Sequence, residues 1–260
     1  MFIVVFLVTV LILIFIYSYY QAKGLVITEE EIMLPGIEHT QKLLFITDLH
    51  KRLIKEDMFS KLPPVDFVII GGDAVEKGVP EEIISQNLSF LSSLGTAFFV
   101  WGNNDYEFGE KKLKQLLDKY NIHQLNNSSY YIDHPGAKWT LAGVEDLGTL
   151  HADINQALQD ANEPVILVSH NPETANLLFN SNRKVEAVLS GHTHGGQIRL
   201  GPLAAGEKGG WKVKNNIPVF ISNGFGTTGI PFRLGAKPQI HLFTLKKRPP
   251  HNINSEESGF

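Results

Sequence analysis

The chain has 260 residues, 43% of them hydrophobic, a formal net charge of -4 and no cysteine. That length suits one large domain, and the charge leaves no basic footprint for a nucleic-acid backbone, so no nucleic-acid partner is expected. Without cysteine there are no disulfides, thiolate metal sites or cysteine nucleophile, and any metal must be held by His, Asp, Glu or Asn.

Residues 1–22, MFIVVFLVTVLILIFIYSYYQA, carry no charged side chain. As a helix they would reach about 33 Å, enough for a hydrocarbon core of about 30 Å. They lack the basic n-region and small-x-small cleavage site of a signal peptide, and Tyr17, Tyr19 and Tyr20 form an interfacial belt. A single-pass anchor in the cell membrane is therefore expected. The basic residue flanking it is Lys23 alone, too little charge to fix the side of the following domain.

From Gly24 onward, short runs rich in Val, Ile and Phe alternate with amphipathic stretches. Strands are predicted at KLLFIT, DFVIIG, AFFVWG, WTLAGV, PVILVS, VEAVLS, IPVFIS and IHLFTL. Helices are predicted from Pro80 to Leu94, which opens with proline and two glutamates, and from Phe108 to Tyr120. The pattern is α/β, with helices covering strands. GPLAAGEKGGWKVKNN, after His194, reads as a glycine-rich loop, and the stretch from Lys246 reads as a disordered tail. One domain over residues 24–245 and a tail over 246–260 follow.

Ligands in open α/β sheets bind beyond the carboxyl ends of strands. Five predicted strands end in polar residues: Asp48 and His50, Asp73, Asn103 to Asp105, His170, and His192 with His194. Singly, an Asp or Asn there is usually a turn or cap residue. Together they offer the oxygen and imidazole ligands that a pair of hard divalent cations requires, a donor set without sulfur that suits Mn, Fe or Zn.

The ordered motifs D-x-H, G-G-D, G-N-x-D, S-H-N-P and G-H-T-H-G-G-Q resemble those of the calcineurin-like metallophosphoesterases, over about Lys42 to Leu245. GHTHGGQIRLGP with SNGFGTTGIPFRLGAKPQIHLF is similar to the bacterial membrane-associated branch that includes phosphodiesterases and UDP-2,3-diacylglucosamine pyrophosphatase-like proteins. The resemblance implies a four-layer α/β/β/α sandwich and hydrolysis of a phosphodiester or pyrophosphate, a nucleotide-sugar lipid being one candidate substrate, with two divalent ions, manganese first and iron or zinc next. It assigns Asp48, His50, Asp73 and His194 to one ion and Asp73, Asn103, His170 and His192 to the other, with Asp73 as bridge and a cation-activated water as nucleophile.

Asn104 stands where the family usually has the histidine of G-N-H-D, and an amide cannot titrate as an acid near neutral pH. Three readings stay open: an anhydride substrate whose leaving group needs no acid, another donor such as His134, His151 or Tyr106, or a metal-binding protein with weak or lost catalysis. Asn104 and Asp105 are the expected catalytic-loop residues. Arg199 and Arg233 are expected to contact phosphate through their guanidinium forks.

Overall fold

A computed structural model describes residues 1–181, 183–201 and 203–249. In chain order its elements are α1 (Phe2–Lys23), β1 (Val26–Leu34), β2 (Gln41–Ile46), β3 (Phe67–Ile70), α2 (Glu81–Leu94), β4 (Thr96–Phe99), α3 (Asn103–Phe108), α4 (Glu110–Lys119), β5 (His123–Gln124), β6 (Ser128–His134), β7 (Ala137–Val144), α5 (Ile154–Leu158), β8 (Val165–Ser169), β9 (Val185–Ser190), β10 (Gly210–Lys214), β11 (Ile217–Ile221) and β12 (Gln239–Lys247). Two six-stranded mixed sheets result, ordered β1-β12-β2-β3-β4-β5 and β10-β11-β9-β8-β7-β6. Each has a parallel centre, β2 to β5 in the first and β7, β8, β9 and β11 in the second.

The central strands read as unbroken apolar runs because both of their faces are covered. On β2, Leu43 and Phe45 point into the space between the sheets, where they meet Phe98, Trp139, Ile166, Val168, Leu189, Phe220 and Phe243. Leu44 and Ile46, on the opposite face, pack against Ile84, Leu88 and Leu91 of α2 and Leu113 and Leu117 of α4. The second sheet's outer face is covered by Ile154, Ala157 and Leu158 of α5 and by the 3-10 segment Pro172–Asn180. Helix, sheet, sheet and helix thus form the four layers.

Three elements escape the apolar-run rule. β1 (VITEEEIML) carries three consecutive glutamates, yet it pairs in parallel with β12 along its whole length. β6 (SSYYIDH) is an edge strand in which Ile132 alone is buried, and β10 forms inside the glycine-rich stretch that reads as a loop. β12 continues through Lys247, whose Cα partner is Leu34, so Lys246 and Lys247 belong to the sheet and not to a tail. The rest of the tail expected over 246–260 lies, from Pro250 onward, outside the described residues.

α1 is apolar and long enough to cross a membrane, and most of it is exposed. Its last turns dock on the domain. Ser18 and Ala22 are buried, Phe232 packs edge-on against Phe15, and the Arg233 backbone N–H donates to Ser18 O at 3.0 Å. Arg52 supplies the missing C-terminal donors, giving Nη2 to Lys23 O and Gly24 O, each at 2.8 Å, and Nη1 to Phe225 O at 2.6 Å.

Candidate metal centre

The polar strand ends converge because parallel strands of the two facing sheets deliver their carboxyl ends to one edge. Asp48, His50, Asp73, His192 and His194 all have positive φ, between 50° and 69°. Non-glycine residues seldom adopt this left-handed region, and such a cluster marks a site where surrounding structure holds strained backbone for function. Two glycines make the approach possible. A Cβ on Gly102 would lie 2.4 Å from Asp73 Oδ1, and one on Gly191 would lie 2.5 Å from Asp48 Oδ2.

Two overlapping groups of donors result, Asp48 with His50 and His194, and Asp48 with Asp73 and His170, the donor atoms of each lying within 4.8 Å of one another. His194 Nε2 is 3.2 Å from Asp48 Oδ1 and 3.0 Å from His50 Nε2. His170 Nε2 is 3.2 Å from Asp73 Oδ2 and 4.0 Å from Asp48 Oδ1. All five side chains are buried. His170 Nδ1 sits 3.0 Å from Gly71 O, a contact that places the ring's proton there and leaves Nε2 as a free donor toward the cluster. That Nε2 and the Asn103 Oδ1 are buried without hydrogen-bond partners. Orphaned donors beside two carboxylates are costly in a protein alone and are what a cation would satisfy, so the residues fit a pair of divalent ions.

The buried charges of the cluster act on one another. Burial would push the His170 imidazole down, but the Asp73 and Asp48 carboxylates hold it up at about 10. Burial pushes His194 down to about 4.

The model of the calcineurin-like phosphoesterase family matches residues 41–196, the stretch that supplies every donor just described. The chain belongs to the calcineurin-like phosphoesterases. These are hydrolases of phosphoric esters, and the family is dinuclear. Bacillus subtilis (strain 168) YpbG is 40% identical over 208 residues, 78% of this chain and 80% of that protein. A metallophosphoesterase of Helicobacter pylori (strain ATCC 700392 / 26695) is 32% identical over 240 residues, 84% of this chain and 63% of that one. A Bos taurus "Transmembrane protein with metallophosphoesterase domain" is 30% identical over 249 residues, 83% of this chain and 55% of that one. This phosphoesterase therefore spans little more than half the length of the last two relatives.

Within the phosphoesterase site, the two asparagines of the G-N-N-D loop do different work. Both open α3, whose first N–H groups face Asp73. The Asn104 backbone donates to Asp73 Oδ1 at 2.8 Å and its Nδ2 donates to Asp73 Oδ2 at 2.6 Å, while Asn103 Oδ1 takes no protein donor. Asp105 is fully buried and points away from the cluster. Its carboxylate accepts from the backbone N–H groups of Asp73 (2.8 Å), Gly102 (2.8 Å) and Val75 (3.1 Å), which ties the β3 and β4 ends together. Burial and the neighbouring Asp73 charge push Asp105 up to about 8, against the pull of those N–H groups.

Several expectations change. His192 is exposed; its ring stands edge-on to His170 at 5.1 Å and joins neither donor group, although its N–H donates to Asp48 at 3.2 Å. Neither arginine faces outward to receive phosphate. Arg233 is fully buried, its guanidinium donating to the carbonyls of Gly226, His194 and Ala236 and facing His194 Nδ1 at 3.1 Å, so it positions a ligand instead. Arg199 donates to Gly195 O and Gly206 O, fastening the loop after His194. Both use the planar fork on backbone carbonyls of glycine-rich loops. Of the alternative proton donors, Tyr106 and His151 lie ring to ring at 5.1 Å near α3. His134 pairs with Ala137 at the start of β7, the sheet end opposite the metal edge.

Motif reading misses Glu76. Its Oε2 lies 3.0 Å from His50 Nδ1 and its Oε1 2.6 Å from Lys51 Nζ, so a carboxylate stands behind a metal-facing imidazole. The available signal is its place three residues after Asp73, where one turn of chain brings it back toward the β2 end.

Proposed function

We propose that the chain is a membrane-anchored, dinuclear metal-dependent phosphohydrolase that cleaves a phosphodiester or a pyrophosphate. Asp48, His50, Asp73 and His194 would hold one ion, and Asp73, Asn103, His170 and His192 the other, with manganese the first candidate. The supporting observation is the central place of Asp73. Its Oδ2 lies 3.2 Å from His170 Nε2 and 3.8 Å from His50 Nε2, so one carboxylate reaches toward both donor groups. Two such ions would neutralise charge on the phosphoryl oxygens and lower the pKa of a water for in-line attack.

The chain's own contribution is position and dryness. Asn104 spends its amide N–H on Asp73 and cannot deliver a proton to a leaving group. A substrate whose leaving group is already a weak base fits this loop best, which favours a nucleotide-linked or lipid-linked pyrophosphate over an alkyl ester. The apolar α1 and the bovine relative's name as a transmembrane protein support the anchored reading.

The test is hydrolysis of an alkyl phosphodiester and a UDP-linked acyl-sugar by the full chain with manganese, before and after Asn104→His. Restoring an acid should raise turnover of the alkyl diester by up to about 10²-fold and leave the pyrophosphate within a few-fold. Equal gains on both would remove the anhydride preference. Hydrolysis of neither, with manganese still bound, would make this a metal-holding protein.

A further inference from the structure

A cleft of about 380 Å³ lies where α1 meets the domain. Its wall toward the helix is Tyr19, Ala22 and Lys23, and the facing wall includes Ile230 and Pro231. Lys51, Arg52 and Glu76 line it as well, with the backbone around Gly226 and Gly229. The charged lining is three cations against one carboxylate, in a chain whose formal net charge is -4. Arg52 is occupied with the helix's last carbonyls and Phe225 O. Lys23 extends over the Tyr19 ring at 4.1 Å, and Lys51 Nζ, on a side chain 70% exposed, has the Glu76 carboxylate as its partner.

The helix fixes where this cleft sits. If α1 crosses a bilayer, Tyr19 and Lys23 in its last turns mark the headgroup level, and the cleft opens there. Each wall carries apolar residues, Tyr19 and Ala22 on the helix and Ile230 and Pro231 opposite, and each offers a lysine, Lys23 and Lys51, a mixture that matches the two parts of an amphiphile whose polar end is anionic. The cleft is also separate from the metal cluster. Glu76 and the Nδ1 side of His50 stand between them, while His50 Nε2 faces His194 on the other side. A phosphate held in the cleft is thus not the one being cleaved.

We propose that this cleft binds the headgroup phosphate of an anionic phospholipid from the bilayer, between Lys23 and Lys51, with an acyl chain running beside Tyr19 and Ile230. A phosphate at Lys51 competes with Glu76 for the same ammonium, and Glu76 is the carboxylate behind His50. Lipid occupancy is thereby sensed one side chain away from a metal ligand. The inference rests on the membrane-spanning reading of α1 and not on the hydrolytic one.

The absence of cysteine allows a direct test. Full-length protein carrying Ile230→Cys, labelled with a bimane fluorophore, is placed in phosphatidylcholine nanodiscs containing phosphatidylglycerol, with bromine on the acyl chains of one lipid or the other. A second label at Leu13→Cys reports on α1. Quenching at position 230 should favour brominated phosphatidylglycerol by about fivefold for each lysine engaged. Lys23→Ala with Lys51→Ala should erase that preference, and Lys51→Arg should keep it. Equal quenching by the two lipids at 230, with both quenching at 13, overturns the lipid site alone. No quenching at 13 overturns the membrane span and this site together, leaving the hydrolase reading to its own assay.

Discussion

Oxygen donors and imidazoles reach the metal edge from different sheets. Asp48, Asp73 and Asn103 leave β2, β3 and β4 of the first sheet, whereas His170, His192 and His194 leave β8 and β9 of the second. The oxygen side is held by bonds that stay within the first sheet: Asp73 receives the Asn104 N–H, and Asp105 clamps the N–H groups of Asp73, Val75 and Gly102. The imidazole side is held from outside its own strands, His170 by Gly71 O of the first sheet and His194 by Arg233, which lies beside α1. His50 alone crosses the division, leaving β2 to meet His194. The centre is therefore assembled by the packing of the two sheets, and its oxygen half should survive perturbations that its nitrogen half does not.

The largest effect is expected at the carboxylate proposed to bridge the two ions. Asp73→Asn keeps the shape but halves the charge available to two cations, and phosphodiester hydrolysis should fall by at least about 10³-fold, with manganese content reduced in parallel. Retention of both metal and activity would refute the proposed ligand set. Asp105→Ala comes next. It leaves three buried N–H groups without their acceptor, at a cost of about 3 kcal/mol in denaturant unfolding, while Asp105→Asn keeps one acceptor oxygen and should lose less. Equal stability of the two variants would mean that the clamp does not hold the β3 and β4 ends.

A third prediction tests the joint between the sheets away from the metals. His241 on β12 is buried, with ring nitrogens 2.6 Å from Thr28 Oγ1 and 2.7 Å from Ser222 Oγ, the latter just past β11 of the other sheet. Burial pushes its imidazole from 6.5 down to about 3. Between those values the unfolded chain binds a proton that the folded one refuses, so the stability this neutral ring contributes is complete above pH 6.5 and is lost as pH falls toward 3. The loss should reach about 3 kcal/mol by pH 4.5, and His241→Gln should flatten that part of the profile. An unchanged pH slope in the variant would exclude His241 as the cause.

The same division shows what could be read from the chain alone. Buried central strands announce themselves, because KLLFIT or VILVS has no polar face to conceal; β1 does not, since Glu29, Glu30 and Glu31 break any apolar pattern. Those glutamates are tolerated because partners come from far along the chain. Glu30 accepts from Trp211 Nε1 at 2.9 Å and Glu31 pairs with Lys246, contacts no local window contains. Residue type and spacing pointed to Asp48, His50, Asp73, His170 and His194 as donors, and their side chains do meet. Arg199 and Arg233 were misjudged for the converse reason: a guanidinium in a glycine-rich loop looks available for phosphate until the loop folds its own carbonyls onto it. Glu76 had no motif to announce it, only the return of the chain after Asp73.

The smallest expected effect lies at the imidazole that the structure leaves outside. His192 has its ring on the solvent side of His170, and water can take the place it would fill on an ion. His192→Ala should therefore weaken manganese binding by about tenfold, because water can replace an exposed ligand, whereas His170→Ala removes a buried donor with no substitute and should cost several-fold more. Titration of manganese into the two variants separates the cases. A loss at His192 as large as that at His170 would show that ion binding draws the outer ring into full ligation, and that the nitrogen half closes on the metal while the oxygen half is already in place.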